Sequence, residues 1–388
     1  MKSKRTSKRT RRRFTIPACK NFTGYKPCFP DTVCYEECVS PNPIGTRILI
    51  VNLDAMGNVL VTTGLLPALK RKYPQSAISW ITLGNAAPLL RNHPDLDRVY
   101  VWEPENWLIL GRMKFDLVLN VDKSRRSCAF TMALRGKKKM GFGLDDNGAI
   151  VPLNPEALET YRLGLNDHLK FRVNTRTVPQ LQCEQFSLRY RRDPCRVYLT
   201  DEERAWAAEF RRAAGIGAEE FVVGFNTGCS ELYPNKKMTV EQHAELIERL
   251  RDVPGLRMVL LGGPEDTHRN AEIVRRTGRS VVSTPTTEGV RRGLCAIELC
   301  DLVISGDSFG MHAAVALGKP VIVWFGVSSA VEIDLFDRGV KLIPEGLACS
   351  PCWKQQCPYN LECIQSIDLD RIVRHVHEEH RRWSGARQ

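Results

Sequence analysis

The chain has no apolar run near the roughly 20 residues that a membrane-spanning helix requires. Its longest apolar stretches, Arg47–Leu53 and Pro320–Val327, have the length of buried strands. No apolar segment follows the basic N-terminus, so no secretory leader is expected and the chain is placed in the cytosol. Repeats at solenoid periods are also lacking, which argues against a stacked-repeat architecture. Charge of one sign is scarcer than the net value of +12 suggests. Lys2, Lys4, Arg5, Lys8, Arg9, Arg11, Arg12 and Arg13 supply eight of those charges, and the rest of the chain carries only +4. What remains is ordinary for a globular protein: 388 residues, 43% hydrophobic and 26% charged, enough for two domains with their own cores.

Residues 1–18 read as a disordered basic arm, suited to an anionic membrane surface, to nucleic acid, or to neither. Residues 19–45 form a Cys-, Pro- and Gly-rich segment without periodicity. From Arg47 short apolar runs alternate with amphipathic stretches. Strands are predicted at Arg47–Leu53, Ile78–Thr82, Arg98–Trp102 and Asp116–Val121, with one helix running from the Asp54–Gly57 loop to about Lys72. This alternation predicts a parallel sheet covered on both faces, here assigned to residues 46–199. The stretch from about 145 to 200 shows no clear organisation. A second alternating series begins with a helix at Asp201–Ala214 and fills residues 200–367. A last helix occupies 368–388. The fold class is therefore α/β, with two Rossmann-like doubly wound domains facing a cleft.

The segment richest in chemistry is Cys300–Gly326, CDLVISGDSFGMHAAVALGKPVIVWFG. A buried strand ends at Ser305, and Gly306-Asp307-Ser308 follows where the next helix begins. Doubly wound sheets bind ligands at strand carboxyl ends, where free N–H groups at a helix N-terminus favour phosphate. Read alone, the same residues also suit a plain N-cap on a core helix.

Asp301–Gly326 resembles the signature of glycosyltransferase family 9, which contains ADP-heptose:lipopolysaccharide heptosyltransferases. Three further segments resemble it in order and spacing: RILIVNLDAMGNVLVTTGLLPAL at Arg47–Leu69, NTGCSELYPNKKM at Asn226–Met238, and LGGPE at Leu261–Glu265. The resemblance implies a GT-B fold and no catalytic metal. It implies that Lys236 neutralises the donor diphosphate, that Ser230 (or Cys229) donates to phosphate, and that Glu265, beside Asp266, holds the ribose. Asp307, Ser308, Gly310, Met311 and His312 match the diphosphate and donor-sugar loop, and Phe309 stands where the family usually has a small residue. Inverting members carry an aspartate base directly after the loop glycine. Here Asn58 follows Gly57, and an amide cannot take a proton from an attacking hydroxyl at neutral pH. Asp54, on the same loop, is the nearest replacement. Asp122, after the strand at Asp116–Val121, is a second candidate, and loss of catalysis is a third outcome.

Eight of the fourteen cysteines form two clusters. Cys349-x2-Cys352-x4-Cys357-x5-Cys363 suits a tetrahedral soft-metal site, structural zinc or iron. Cys19, Cys28, Cys34 and Cys38 are spaced more loosely. Two sites, one site shared or confined to the C-terminal cluster, and no metal at all are the alternatives. A C-terminal helix crossing back to the first domain, as GT-B folds have, would make the clusters neighbours.

The reading is a cytosolic, membrane-peripheral transferase that inverts the anomeric centre. It takes heptose from ADP-heptose and delivers it to a lipopolysaccharide core or similar surface glycan. Its rivals are a non-catalytic sugar-nucleotide-binding protein, a metal-clipped nucleic-acid-binding protein, and a GT-B-shaped epimerase.

Overall fold

The computed structural model describes residues 17–28, 33, 34, 38 and 41–387; most of the basic arm lies outside the described residues. The first half contributes β1 (Arg47–Val51), α1 (Met56–Thr62), α2 (Leu65–Lys72), β2 (Ala77–Thr82), β3 (Arg98–Val101), α3 (Pro104–Arg112), β4 (Lys114–Asn120), α4 (Arg125–Ala133), β5 (Arg135–Leu144) and β6 (Ile150–Pro152). These strands form one sheet in the order β3-β2-β1-β4-β5-β6, parallel except for β6, which returns as a hairpin on β5. Two helices, α5 (Ala157–Leu165) and α6 (Val178–Gln185), occupy the stretch whose organisation the sequence left open.

The second half runs α7 (Asp201–Ala213), β7 (Phe221–Asn226), α8 (Val240–Leu250), β8 (Leu256–Leu261), α9 (Thr267–Thr277), β9 (Val282–Ser283), α10 (Val290–Glu298), β10 (Leu302–Gly306), α11 (Phe309–Ala316), β11 (Val321–Trp324) and β12 (Gly339–Leu342). Its all-parallel sheet has the order β12-β11-β10-β7-β8-β9. Counted within each half, both sheets repeat the 3-2-1-4-5-6 order of the dinucleotide-binding fold. The helices start where the sequence says they should. Thr200 with Glu203, and Thr239 with Gln242, form reciprocal capping boxes on α7 and α8.

Two local expectations need correction. The helix predicted up to Lys72 is broken at Thr63–Gly64. Thr63 Oγ1 donates to the Leu60 carbonyl at 2.6 Å, and Pro67, having no N–H, cannot continue the ladder back to Thr63. The ten-residue β5 was missed because RGKKKMGFGL reads as a polar loop. Its basic first half is largely solvent-facing, while Met140–Gly143 is buried beside β4.

One apolar cluster runs without a break from the first sheet to the second. It joins Ile48, Ile50, Leu66 and Trp80 to Val222, Val303, Ala313 and Val323 through Cys195, Val197 and Leu199 of the connector. The Val197 N–H donates to the Ala316 carbonyl at 3.3 Å, and Arg291 of α10 binds Glu203 and the carbonyls of Tyr198 and Pro88. After α12 (Glu362–Gln365) the chain ends in α13 (Leu369–Gly385), which packs on the second half and does not cross back. Ile372 and Val376 are fully buried in the second core, and the rings of Phe221 and His380 stack at 5.2 Å.

Candidate active site

In each sheet the strand order reverses between two hydrogen-bonded neighbours, β1 and β4 in the first and β7 and β10 in the second. Ligand crevices open at such switch points. Most of the candidate donor and acceptor residues fall there, in the loops and first helical turns after these four strands; Glu265 follows β8 beside them.

In the first crevice Asp54 is exposed and paired with Arg126 of α4 at 2.7 Å, and Asn58 is exposed on the first turn of α1. Asp122 behaves differently from the expectation of a carboxylate facing the cleft. It is only 7% exposed, and its two oxygens accept from Asn52 Nδ2 at 2.6 Å and from the Leu53 N–H at 2.5 Å. Burial pushes its carboxyl up to about 7, against the pull of those two donors. Asp122 thus clamps the start of the Asp54 loop to β4.

In the second crevice Lys236 Nζ lies 2.8 Å from Asp307 Oδ2, with both side chains largely buried. Burial alone would raise the Asp307 carboxyl, but Lys236 and then His312 outweigh it and hold it below the usual range. The same burial lowers His312, whose Nε2 is 3.8 Å from Asp307 Oδ1. Gly306 admits the Lys236 carbonyl, which would sit 2.7 Å from any added Cβ and which accepts from Trp324 Nε1 at 3.0 Å.

Asn226 was not singled out, yet it organises this loop. Buried at the end of β7, its Nδ2 donates to Ser308 Oγ at 2.9 Å, to Ser305 Oγ at 3.1 Å and to the Gly228 carbonyl at 3.0 Å. Gly310 has to be glycine because a Cβ there would lie 2.2 Å from Asn226 Oδ1. Ser308 precedes α11 as its N-cap residue, and Met311 is fully buried in the shared core. Of the acidic pair after β8, Glu265 is exposed, while Asp266 turns inward to the Gly263 N–H and Lys237. Ser230 is exposed, and its Oγ accepts from the Leu232 N–H at 3.2 Å.

The two crevices meet. A Cβ on Gly57 would be 2.7 Å from His312 Cδ2, so α1 approaches α11 to a distance that only glycine allows. The loop of Asp54 and Asn58 therefore abuts the segment of Asp307 and His312.

The cysteines are distributed otherwise than expected. In the described part of the N-terminal segment, Cys19 bridges to Pro43, Lys20 reaches the Ser76 carbonyl and Asp97, and the Phe22 carbonyl accepts from Arg98. That segment lies on the β2–β3 edge of the first sheet. Cys349, Cys352, Cys357 and Cys363 surround one small cavity beside Gly326 and Val327 in the second half. The described stretch around Cys19 and the C-terminal cluster are thus attached to different halves. Among the described residues no three or more His, Cys, Asp or Glu side chains are assembled to hold a metal ion. Cys363 is buried on α12 while Cys349 is exposed, and burial, followed by the three neighbouring thiols, pushes Cys363 up to about 11.

A lipooligosaccharide heptosyltransferase 2 from Haemophilus influenzae is 23% identical over 308 residues, covering 73% of this chain and 84% of the relative. The solved structure of an ADP-heptose lipopolysaccharide heptosyltransferase II from Escherichia coli superposes with a TM-score of 0.63 at 18% identity, covering 87% of this chain and 99% of that one. The iron-containing dodecameric glycosyltransferase TibC from enterotoxigenic E. coli H10407 gives 0.52 at 13% identity, covering 88% and 77%. Among the described residues no helix is long and apolar enough to cross a membrane. The family model for glycosyltransferase family 9 (heptosyltransferase) matches residues 107–362, two thirds of the chain, so this protein belongs to glycosyltransferase family 9 and is a glycosyltransferase.

Proposed function

We propose that the enzyme transfers heptose from ADP-heptose to a lipopolysaccharide core or similar surface glycan, with inversion at the anomeric carbon. The donor lies in the second crevice, its diphosphate against Lys236, Ser230 and the start of α11, and its ribose on Glu265. Asp307 accepts from hydroxyls of the transferred sugar. The acceptor lies in the first crevice. Asp54 takes the proton of the acceptor hydroxyl as its oxygen forms the new bond to the anomeric carbon. The bond from that carbon to the diphosphate breaks on the opposite face, and the electron pair leaves with the nucleoside diphosphate, whose charge Lys236 offsets. Asn58 orients the acceptor by hydrogen bonding.

The observation that carries this reading is the contact of Gly57 with His312, which places the Asp54 loop beside the donor segment. The basic arm from Lys2 to Arg13 would keep the enzyme at an anionic membrane surface, where a glycolipid acceptor sits. Cys349, Cys352, Cys357 and Cys363 line one cavity but are not assembled as a metal site, so a structural zinc or iron there would require the four thiols to draw together. It would tie the loop and supply no step of transfer. The test is a screen of ADP-, GDP-, UDP- and dTDP-sugars for thermal stabilisation and turnover with glycolipid supplied. Turnover of ADP-heptose, lost in Asp54→Ala while binding persists, is the expected result; stabilisation by no sugar nucleotide would overturn the reading.

A further inference from the structure

The Cys-rich loop contributes more than packing to the second crevice. Trp353, at its centre, sets its ring 4.4 Å from Lys236 Nζ, the closest cation–ring approach to that lysine. Tyr233 meets the same indole edge-on at 5.1 Å and lies 5.4 Å from the same ammonium. Lys170 brings a second ammonium to 5.0 Å from the Trp353 ring and also approaches Glu332 at 3.8 Å. The loop is anchored on both sides of the ring. The backbone N–H of Trp353 donates to the Val327 carbonyl at 2.8 Å, Asn235 Nδ2 donates to the Lys354 carbonyl at 2.7 Å, and Arg172 donates to the carbonyls of Ala348 and Ser350.

Two features of Trp353 are costly unless used. Its backbone sits at φ +51°, the left-handed region that a bulky side chain avoids, and its Nε1 is buried with no hydrogen-bond partner among the described residues. Strained residues concentrate where a site over-determines them.

We infer that Trp353 is a positioning residue of the donor site. Its ring desolvates and aims the Lys236 ammonium. The inference rests on the donor-binding role proposed for Lys236. It makes the Cys-rich loop a working wall of the crevice, so that whatever orders the loop also sets diphosphate affinity.

The experiment is calorimetric titration of the whole chain with ADP, GDP and UDP, using wild type, Trp353→Ala, Trp353→Phe, Lys236→Ala and the double variant Lys236→Ala/Trp353→Ala. Circular dichroism confirms that each is folded. Trp353→Ala should weaken the nucleoside diphosphate that wild type binds by about tenfold, and by no more than about twofold when Lys236 is already alanine. Trp353→Phe, which keeps a ring face against the ammonium, should retain most of the affinity. Equal losses in both backgrounds would make the loop merely structural and overturn the inference, as would an unchanged affinity in Trp353→Ala. Binding of no nucleoside diphosphate by wild type would instead remove the proposed function, and this inference with it.

Discussion

The two crevices occupy the same place in two sheets of the same strand order, but they are stiffened by opposite means. In the first, a buried carboxylate in no ion pair among the described residues, Asp122, holds its own loop through an amide and a backbone N–H. Its working side chains, Asp54 and Asn58, are left exposed. In the second, the charged pair at the centre is itself buried, Lys236 and Asp307 satisfying each other, while Ser230 and Glu265 stand exposed at the margin. The difference suits the two tasks proposed for them. A base must meet an acceptor arriving from solvent, while a diphosphate is best neutralised where water is scarce and a cation counts for more.

Asp54→Ala should break this division most sharply, lowering kcat about 10²–10⁴-fold with donor affinity unchanged, as read by steady-state kinetics beside ADP titration. Lys236→Ala should lower kcat by about 10²-fold and also weaken ADP, because the ammonium acts on the bound and on the departing diphosphate. A loss of kcat without a loss of affinity would place Lys236 with the first crevice's chemistry. Gly57→Ala tests the join. Its methyl meets the His312 ring, so kcat/KM should drop about tenfold with little change in Tm.

The smallest effect concerns Asp122, whose role here is structural. Its carboxyl rises from 3.8 in the unfolded chain to about 7 in the fold. Between those values the folded state binds more protons than the unfolded one, so this group makes stability fall as pH rises from about 4 to about 7. Asp122→Asn should flatten that slope in urea melts at several pH values while sparing most activity. Asn52 Oδ1 is buried without a partner, so a flipped amide there can receive the new N–H. A loss of turnover as large as that of Asp54→Ala would mean that Asp122 takes part in the chemistry.

Much of this was legible in the sequence because the signals are local. Buried strands such as RILIV, capping residues such as Thr200 and Thr239, and the GDSFGMH turn each declare themselves within a few residues. β5 did not, because its lysines face solvent while it pairs along β4. The burial of Asp122 was equally hidden, since it depends on Asn52 and Leu53, about seventy residues away in the chain. Asn226 and Trp353 were missed for the same reason. Nothing adjacent to them marks the hydroxyls and the ammonium they meet after folding. A glycine in the first turn of a helix could have hinted at Asn226, since Gly310 is small to make room for it. The paired cysteine spacings were visible, but not that the described N-terminal segment and the C-terminal loop attach to opposite halves.

The apolar cluster that passes from β1 through the connector to β10 has a consequence for how the molecule is assembled. Two halves that look like repeats of one design are not interchangeable modules, because one buried cluster, Val197, Leu199 and Ala313 among it, draws its side chains from both. Neither half has a finished surface of its own. Heating should therefore melt the chain in one cooperative calorimetric transition, and a fragment ending near residue 199 should aggregate through the face it can no longer cover.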